Sequence, residues 1–233
     1  MRAEYKNLIL SCLPRAEIAR LRPNLEPVSL PQNKDLSRPG EKVLYGYFPE
    51  EGMASIVVTM RNGVSVEVGI VGREGMVGLP ILFGTGHMTT HTFMQIAGSG
   101  FRIRAQALKA AFDRPGRLRN MCGRYFQGHL VQVSNSAACN RVHNIEERLA
   151  RWLLLCNDRT ALSHLPLTHE FLAHMLGTGR ATVSLAAEIL QRSRLIAYSR
   201  GKVDILDRKG LEGAACECYQ SIRAEDDRLS SLS

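Results

Sequence analysis

The sequence predicts an α+β chain in three parts: an N-terminal antiparallel β-roll, one long helix, and a C-terminal winged helix-turn-helix. Three observations predict it. Between Pro27 and Ile103, short apolar runs alternate with glycine-rich turns. From Gln106 the apolar residues take helical spacing, with one long stretch from about Arg117 to Arg141. Then "HEFLAHMLGTGRATVSLAAEILQRSRLI", His169 to Ile196, sets two short helical segments around a glycine turn. The expected parts are residues 1–114, 115–142 and 143–233.

Composition narrows the function classes. The 233 residues have room for one large domain or two ordinary ones, and 45% hydrophobic content supports a packed core over disorder. Thirty Lys and Arg against 22 acids leave a net charge of +8. That balance favours an anionic partner, either nucleic acid or phospholipid. No apolar run approaches the ~18 residues of a membrane span. The N-terminal "MRAEYKNLILSCLPRAEIARL" is broken by Pro14 and flanked by acids, unlike a secretory signal. The expected location is therefore the cytoplasm, with reduced thiols. The cysteines are Cys12, Cys122, Cys139, Cys156, Cys216 and Cys218, and none has CxxC spacing. Placed on one helix, Cys216 and Cys218 would point roughly 200° apart. The sequence thus predicts no metal site and no resident cofactor, and reads the thiols as buried structural groups.

Each element has its own signal. Glu4 to Leu21 reads as two short helices around Pro14. "KVLYGYF", "ASIVVTM", "VSVEVGIV", "THTFMQIAG" and "FRIRA" read as strands, and "RNG" as a hairpin turn between two of them. "QALKAAFDR" is a helix stopped by Pro115. At about 25 residues and ~1.5 Å per residue, the next helix spans nearly 40 Å. One face carries Leu118, Cys122, Tyr125, His129, Gln132 and Ser136; Met121, Leu130, Val133 and Ala137 lie beside it. Its apolar surface exceeds what a small roll needs, which points to a dimer seam. "NIEERLARWLLLCND" is amphipathic, with Leu149, Trp152, Leu153 and Cys156 inward and Glu146, Arg148 and Arg151 in water. After "RTALSHLP" and the two short helices, "LIAYSRGKVDIL" reads as a hairpin. A last helix is expected from about Lys209 to Ala224, with a frayed tail "EDDRLSSLS".

The two short helices carry the functional signal. Thr168 is a good N-cap, and Glu170 sits in the positive first turn. Leu172 and Leu176 share one face, Ala173 permits a close crossing, and Gly177 ends the helix. Thr178 or Gly179 caps the second helix, whose inner stripe is Val183, Ala187 and Leu190 with Ala186 beside it. These offsets fit a helix-turn-helix, and the hairpin behind it fits a wing with Ser199, Arg200 and Lys202 at the tip for phosphate contact.

Here the chain resembles the Crp/Fnr superfamily of bacterial transcription regulators, over nearly its whole length. "LTHEFLAHMLGTGRATVSLAAEILQRSRLI" is similar to the family's DNA-binding signature, and "VGREGMVGLPILFG" to its β-roll turn. The resemblance implies a cyclic-nucleotide-binding-like β-roll sensor, a dimerisation helix and a DNA-binding domain. It also implies a homodimer on a two-fold site in double-stranded DNA, with RNA polymerase as a partner. Arg180 matches the arginine that reads guanine. Thr182 and Ser184 flank the exposed face as phosphate contacts, and Thr168, Thr178 and Gly179 offer hydroxyl or backbone donors. The best-known members carry Glu and Arg where this chain has Ala181 and Leu185. Its operator is therefore expected to differ, with these two side chains meeting thymine methyls.

The sensor departs further. Cyclic-nucleotide members hold the phosphate with a Gly-Glu pair and an Arg-Ser pair. Here Gly78-Leu79 and Thr89-Thr90 stand in those places, so no cation faces the phosphate. The effector pocket expected from Gly78, Leu79, Pro80, Phe83, Thr89 and Thr90, with Met88, suits a neutral or apolar effector of unidentified structure. Only Cys12 lies near the N-terminus, too few thiols for an iron–sulfur sensor. His87 and His91 sit at a turn leading into a strand and read as ordinary surface histidines. No GxSxG, HExxH or P-loop argues for an enzyme. The alternative to a DNA-binding regulator is a cyclic-nucleotide-binding-like signalling module acting through protein partners, which leaves the winged helix-turn-helix unused.

Overall fold

The computed structural model describes residues 5–160, 162 and 164–231. The expected helix start at Glu4, linker positions Ala161 and Ser163, and the last two residues of the expected frayed tail lie outside the described residues. The chain forms two compact units. One gathers the described residues of Met1–Ile56, Ile70–Leu130 and Glu225–Ser233; the other gathers those of Val57–Gly69 and Val131–Ala224.

Most elements follow the sequence pattern, but the strands at 26–30, 35–37 and 164–166 and the short helix at 79–82 were not expected from it. Helices α1 (Leu8–Ser11) and α2 (Arg15–Leu21) flank Pro14 as expected. The strands of the roll are β1 (Glu26–Leu30), β2 (Asp35–Ser37), β3 (Tyr45–Pro49), β4 (Met53–Thr59) and β5 (Ser65–Val71). After the short α3 (Leu79–Leu82) come β6 (His91–Ile96) and β7 (Gly98–Arg104). They form two sheets, in the orders β1-β7-β3 and β2-β6-β4-β5. In the first, Tyr47 faces Arg102 across β3 and β7, and Val28 faces Gly100 across β1 and β7. The "RNG" turn joins β4 to β5 through Gly63, at φ 84, where a side chain would be strained.

Helix α4 (Ala105–Asp113) ends before Pro115, and α5 (Arg117–Val142) runs for 26 residues. Leu118, Met121, Cys122, Tyr125, Gln132, Ser136 and Cys139 of α5 are buried. The "GREG" turn is tight because the Glu74 carboxylate accepts from the Gly72 N–H at 2.9 Å. Gly75 follows for a steric reason: a Cβ there would come within 2.0 Å of the Tyr125 ring. Buried Asn7 closes the same region by donating to the carbonyls of Pro49 and Gly75 at 2.9 and 2.8 Å.

The second unit is built around α6 (Ile145–Thr160). Strand β8 (His164–Pro166), α7 (His169–Leu176), α8 (Arg180–Arg192), β9 (Ile196–Ser199) and β10 (Lys202–Ile205) follow. The strands form a sheet in the order β8-β10-β9. Helix α6 packs against α7 and α8, and against α9 (Arg208–Ala214). It is therefore enclosed, and Arg151 is buried rather than in water as its spacing suggested. The Trp152 indole N–H donates to Glu67 of β5 at 2.5 Å within this unit. Two further expectations change. The single last helix is two, α9 and α10 (Cys218–Ser230), with residues 215–217 as the break. The described part of the tail is helical through Ser230, because Leu229 is buried and Arg228 pairs with Glu225 one turn back.

Candidate nucleic-acid interface

The local sequence sets each part of the helix pair. Thr168 caps α7, its Oγ1 accepting from the Phe171 N–H at 3.1 Å. Gly177 ends α7 in the left-handed region, at φ 60 and ψ 40, where other residues are strained. Gly179, not Thr178, caps α8, and no side chain satisfies that helix start. The first-turn N–H groups of α8 are thus left for an anion or water. Val183, Ala186, Ala187 and Leu190 are all buried, which fixes the outward face. That face presents Arg180, Ala181, Thr182, Leu185 and Glu188, all exposed. Glu188 pairs with Arg192 one turn on, at 2.5 Å, so its carboxylate is engaged within the helix.

The wing is a two-residue hairpin. Arg200 and Gly201 connect β9 to β10 with φ of 49 and 74, the paired left-handed geometry of a type I′ turn. Ser199, Arg200 and Lys202 are exposed at its tip. Strand β10 pairs with β8, so Lys202 lies opposite Pro166. A Cβ on Gly201 would touch the Thr168 methyl at 3.4 Å, so the wing turn lies against the start of α7.

His169 ties these pieces together and was not singled out by sequence reasoning. Its ring stacks on Tyr198 of β9 at 4.0 Å, and its Nδ1 hydrogen-bonds the Ser184 hydroxyl of α8 at 2.9 Å. The Tyr198 hydroxyl donates to the Leu167 carbonyl at 3.0 Å. Ser184, expected to face phosphate, is therefore half-buried and committed to His169. Burial and then the charge of Arg180 hold the His169 pKa below its ordinary 6.5. The signal available beforehand was slight: a histidine right after an N-cap, with an aromatic residue on the following hairpin.

The expected effector residues lie around α3 and ahead of β6. Gly78 caps α3 at φ 107, with Leu79 and Pro80 half-buried behind it. Phe83 is 54% exposed and rests on the rings of Phe126 and Phe112, at 5.0 and 6.3 Å. Met88 is buried, Thr89 exposed and Thr90 half-buried ahead of β6. His91 pairs with Asp35 at 2.5 Å. A cavity of about 260 Å³ lies elsewhere in the same unit, lined by Leu13, Glu17 and Arg20 on one side and Ala107, Arg114 and Leu118 on the other.

Residues 147–214 match the family model of the Crp-like helix-turn-helix domain. The match takes in α7, α8 and the wing, so the geometry above is that of a Crp-like domain. Solved structures extend the likeness to most of the chain. A Crp/Fnr-family transcriptional regulator from Eubacterium rectale aligns with a TM-score of 0.68 at 18% identity, covering 87% of this chain and 94% of that one. The c-di-GMP responsive global regulator CLP of Xanthomonas campestris gives 0.67 at 18%, covering 82% and 99%. A CRP-family regulator from Thermus thermophilus gives 0.66 at 23%, again covering 82% and 99%. At these identities the likeness is one of fold, and the fold is the Crp/Fnr one. No curated protein sequence matches the chain. Among the described residues, no helix is long and apolar enough to cross a membrane.

Flanking the Crp-like stretch on both sides is a cluster that sequence spacing did not predict. Cys139, His143, Cys216 and Cys218 bring their donor atoms within 4.8 Å of one another. The expectation that Cys216 and Cys218 diverge rested on a shared helix. Instead Cys216 lies in the α9–α10 break and Cys218 is the first residue of α10. Burial pushes the Cys122 thiol up to about 12. Cys139 differs: a hydrogen bond from Cys216, and the charge of Arg151, hold its thiol well below the usual range.

Proposed function

We propose that this chain is a DNA-binding transcription regulator acting as a homodimer on a two-fold operator, under an effector bound in the β-roll unit. The observation that carries the reading is the division of α8. Its inner stripe is fully buried, while Arg180, Ala181, Thr182 and Leu185 stand clear, with a basic wing in the same unit. In a major groove, Arg180 at the helix start reaches a guanine edge, Ala181 and Leu185 meet thymine methyls, and Thr182 meets phosphate. Thr168, Thr178 and Gly179 offer donors to the backbone, and Ser199, Arg200 and Lys202 add phosphate contacts from the wing.

Helix α5 supports the dimer. Gly123, Phe126, Leu130, Val133 and Ala137 recur at alternating spacings of three and four residues, the pattern of a two-helix seam. Phe126 and Leu130 are 39% and 49% exposed in the single chain. A second copy of α5 would cover them. RNA polymerase is the partner such a regulator would engage once on DNA. The residues at Leu79, Thr89 and Thr90 supply no cation for a cyclic phosphate, so the effector is a neutral or apolar molecule, and calorimetry with cyclic AMP is expected to show no saturable binding.

Fluorescence polarisation with a bound duplex tests the roles. Affinity is expected to fall steeply with salt. Arg180→Ala is expected to lose about 1–3 kcal/mol of discrimination at one base pair of each half-site. Lys202→Ala should weaken all duplexes alike and reduce the salt slope by about one. If both variants weaken every duplex uniformly, α8 does not read bases through Arg180.

A further inference from the structure

We propose that Cys139, His143, Cys216 and Cys218 form a closed tetrahedral site for one thiolate-preferring divalent metal ion, zinc foremost, that staples the end of α5 to the α9–α10 junction. The donor set is that of a structural Cys3His zinc site. Cys139 lies in the last turn of α5 and His143 just past its end, where the His143 N–H still donates to the Cys139 carbonyl at 3.1 Å, so the two stand one helical turn apart. The sulfurs of Cys139 and Cys216 lie 3.5 Å apart, and His143 Nδ1 lies 3.8 Å from the Cys218 sulfur. Zinc–sulfur bonds of about 2.3 Å give tetrahedral edges of roughly 3.8 Å, so the donors stand near coordinating distance before any rearrangement. The site is closed, since the three cysteines are buried and the His143 side chain is 14% exposed.

Two independent features point to an ion rather than to buried thiols. His143 Nε2 lies 3.1 Å from the Glu217 carboxylate, which leaves Nδ1 as the ligand atom. A carboxylate on the far nitrogen is the usual support of a metal-bound histidine. Arg151 is the second feature. It lies in the same unit, is 5% exposed, and its Nε has no hydrogen-bond partner among the described residues. A buried cation needs a compensating anion. Three thiolates around a divalent ion leave one net negative charge, and the three thiol protons go to solvent on binding. A disulfide between Cys139 and Cys216 would carry no charge to offset Arg151, and would leave Cys218 and the oriented His143 without a role.

Cobalt(II) added to the reduced, metal-stripped full chain tests the site. One equivalent is expected to bind, with the visible bands of tetrahedral cobalt and a thiolate-to-cobalt charge-transfer band, both bleached by one equivalent of zinc. Cys139→Ser and Cys218→Ser should abolish the bands, and Cys12→Ser should keep them. His143→Cys should keep tetrahedral binding with stronger charge transfer, which separates lost ligation from lost folding. Glu217→Gln should weaken metal affinity by about 10-fold. The proposal is overturned if reduced wild-type chain gives no tetrahedral spectrum, if the bands survive loss of both Cys139 and Cys218, or if thiol counting on fresh protein finds a Cys139–Cys216 disulfide with no metal.

Discussion

Single residues show where function competes with stability. Arg200 occupies a left-handed position, φ 49, that asparagine or glycine fills with less strain. The proposed function gives the charge a use at the wing tip. Arg200→Asn is expected to raise unfolding stability by about 1 kcal/mol, measured in urea, while lowering affinity for every duplex. A gain in both would remove Arg200 from the DNA contacts. His169 gives a pH signature. Its folded pKa lies below 6.5, through burial and then Arg180, so the unfolded chain takes up the proton first as pH falls. Stability contributed by neutral His169 is present above the unfolded pKa and is lost on acidification below it. The urea midpoint should therefore drop between about pH 7 and pH 5. His169→Gln should flatten that drop, and an unchanged slope would show that its proton is not linked to folding. The Cys–His cluster shows what single residues conceal. "CNRVH" displays Cys139 and His143 at helical i, i+4 spacing, but their partners are some 75 residues on, across a helix break that no proline marks.

Elements were the most legible scale. Hairpin, cap and stop signals are local, so "RNG", Thr168, Pro115 and Gly177 placed their turns and helix ends directly. Arg151 was misread because the enclosure of α6 by three other helices is a tertiary fact, invisible to spacing. Ser184 was misread for the same reason, its hydroxyl being taken by His169 from another helix. Phe83, expected at the effector pocket, turns outward onto α4 and α5. That outward ring adds to the exposed apolar row of α5. Leu130→Glu would place like charges across a two-fold seam, at a cost of several kcal/mol. The dimer dissociation constant should rise by about 100-fold or more in sedimentation equilibrium. An unchanged wild-type-like dimer would place the interface elsewhere.

For the whole molecule, the central claim is that two copies of one Crp-like domain read a symmetric duplex. Net charge of +8 favours a polyanion without choosing a sequence. Under the proposed function, selectivity would come from Arg180, a few methyl contacts, and the spacing set by α5 in a dimer. DNA shape would supply the remainder, because α8 exposes few polar side chains. Selection of bound duplexes from a random pool, at moderate salt and with sequencing of the bound fraction, tests this most directly. The expected result is an inverted repeat whose half-sites lie about one helical turn apart and share a guanine at a fixed place, lost as a shared feature with Arg180→Ala. Enrichment of no two-fold motif, with affinity following ionic strength alone, would contradict it.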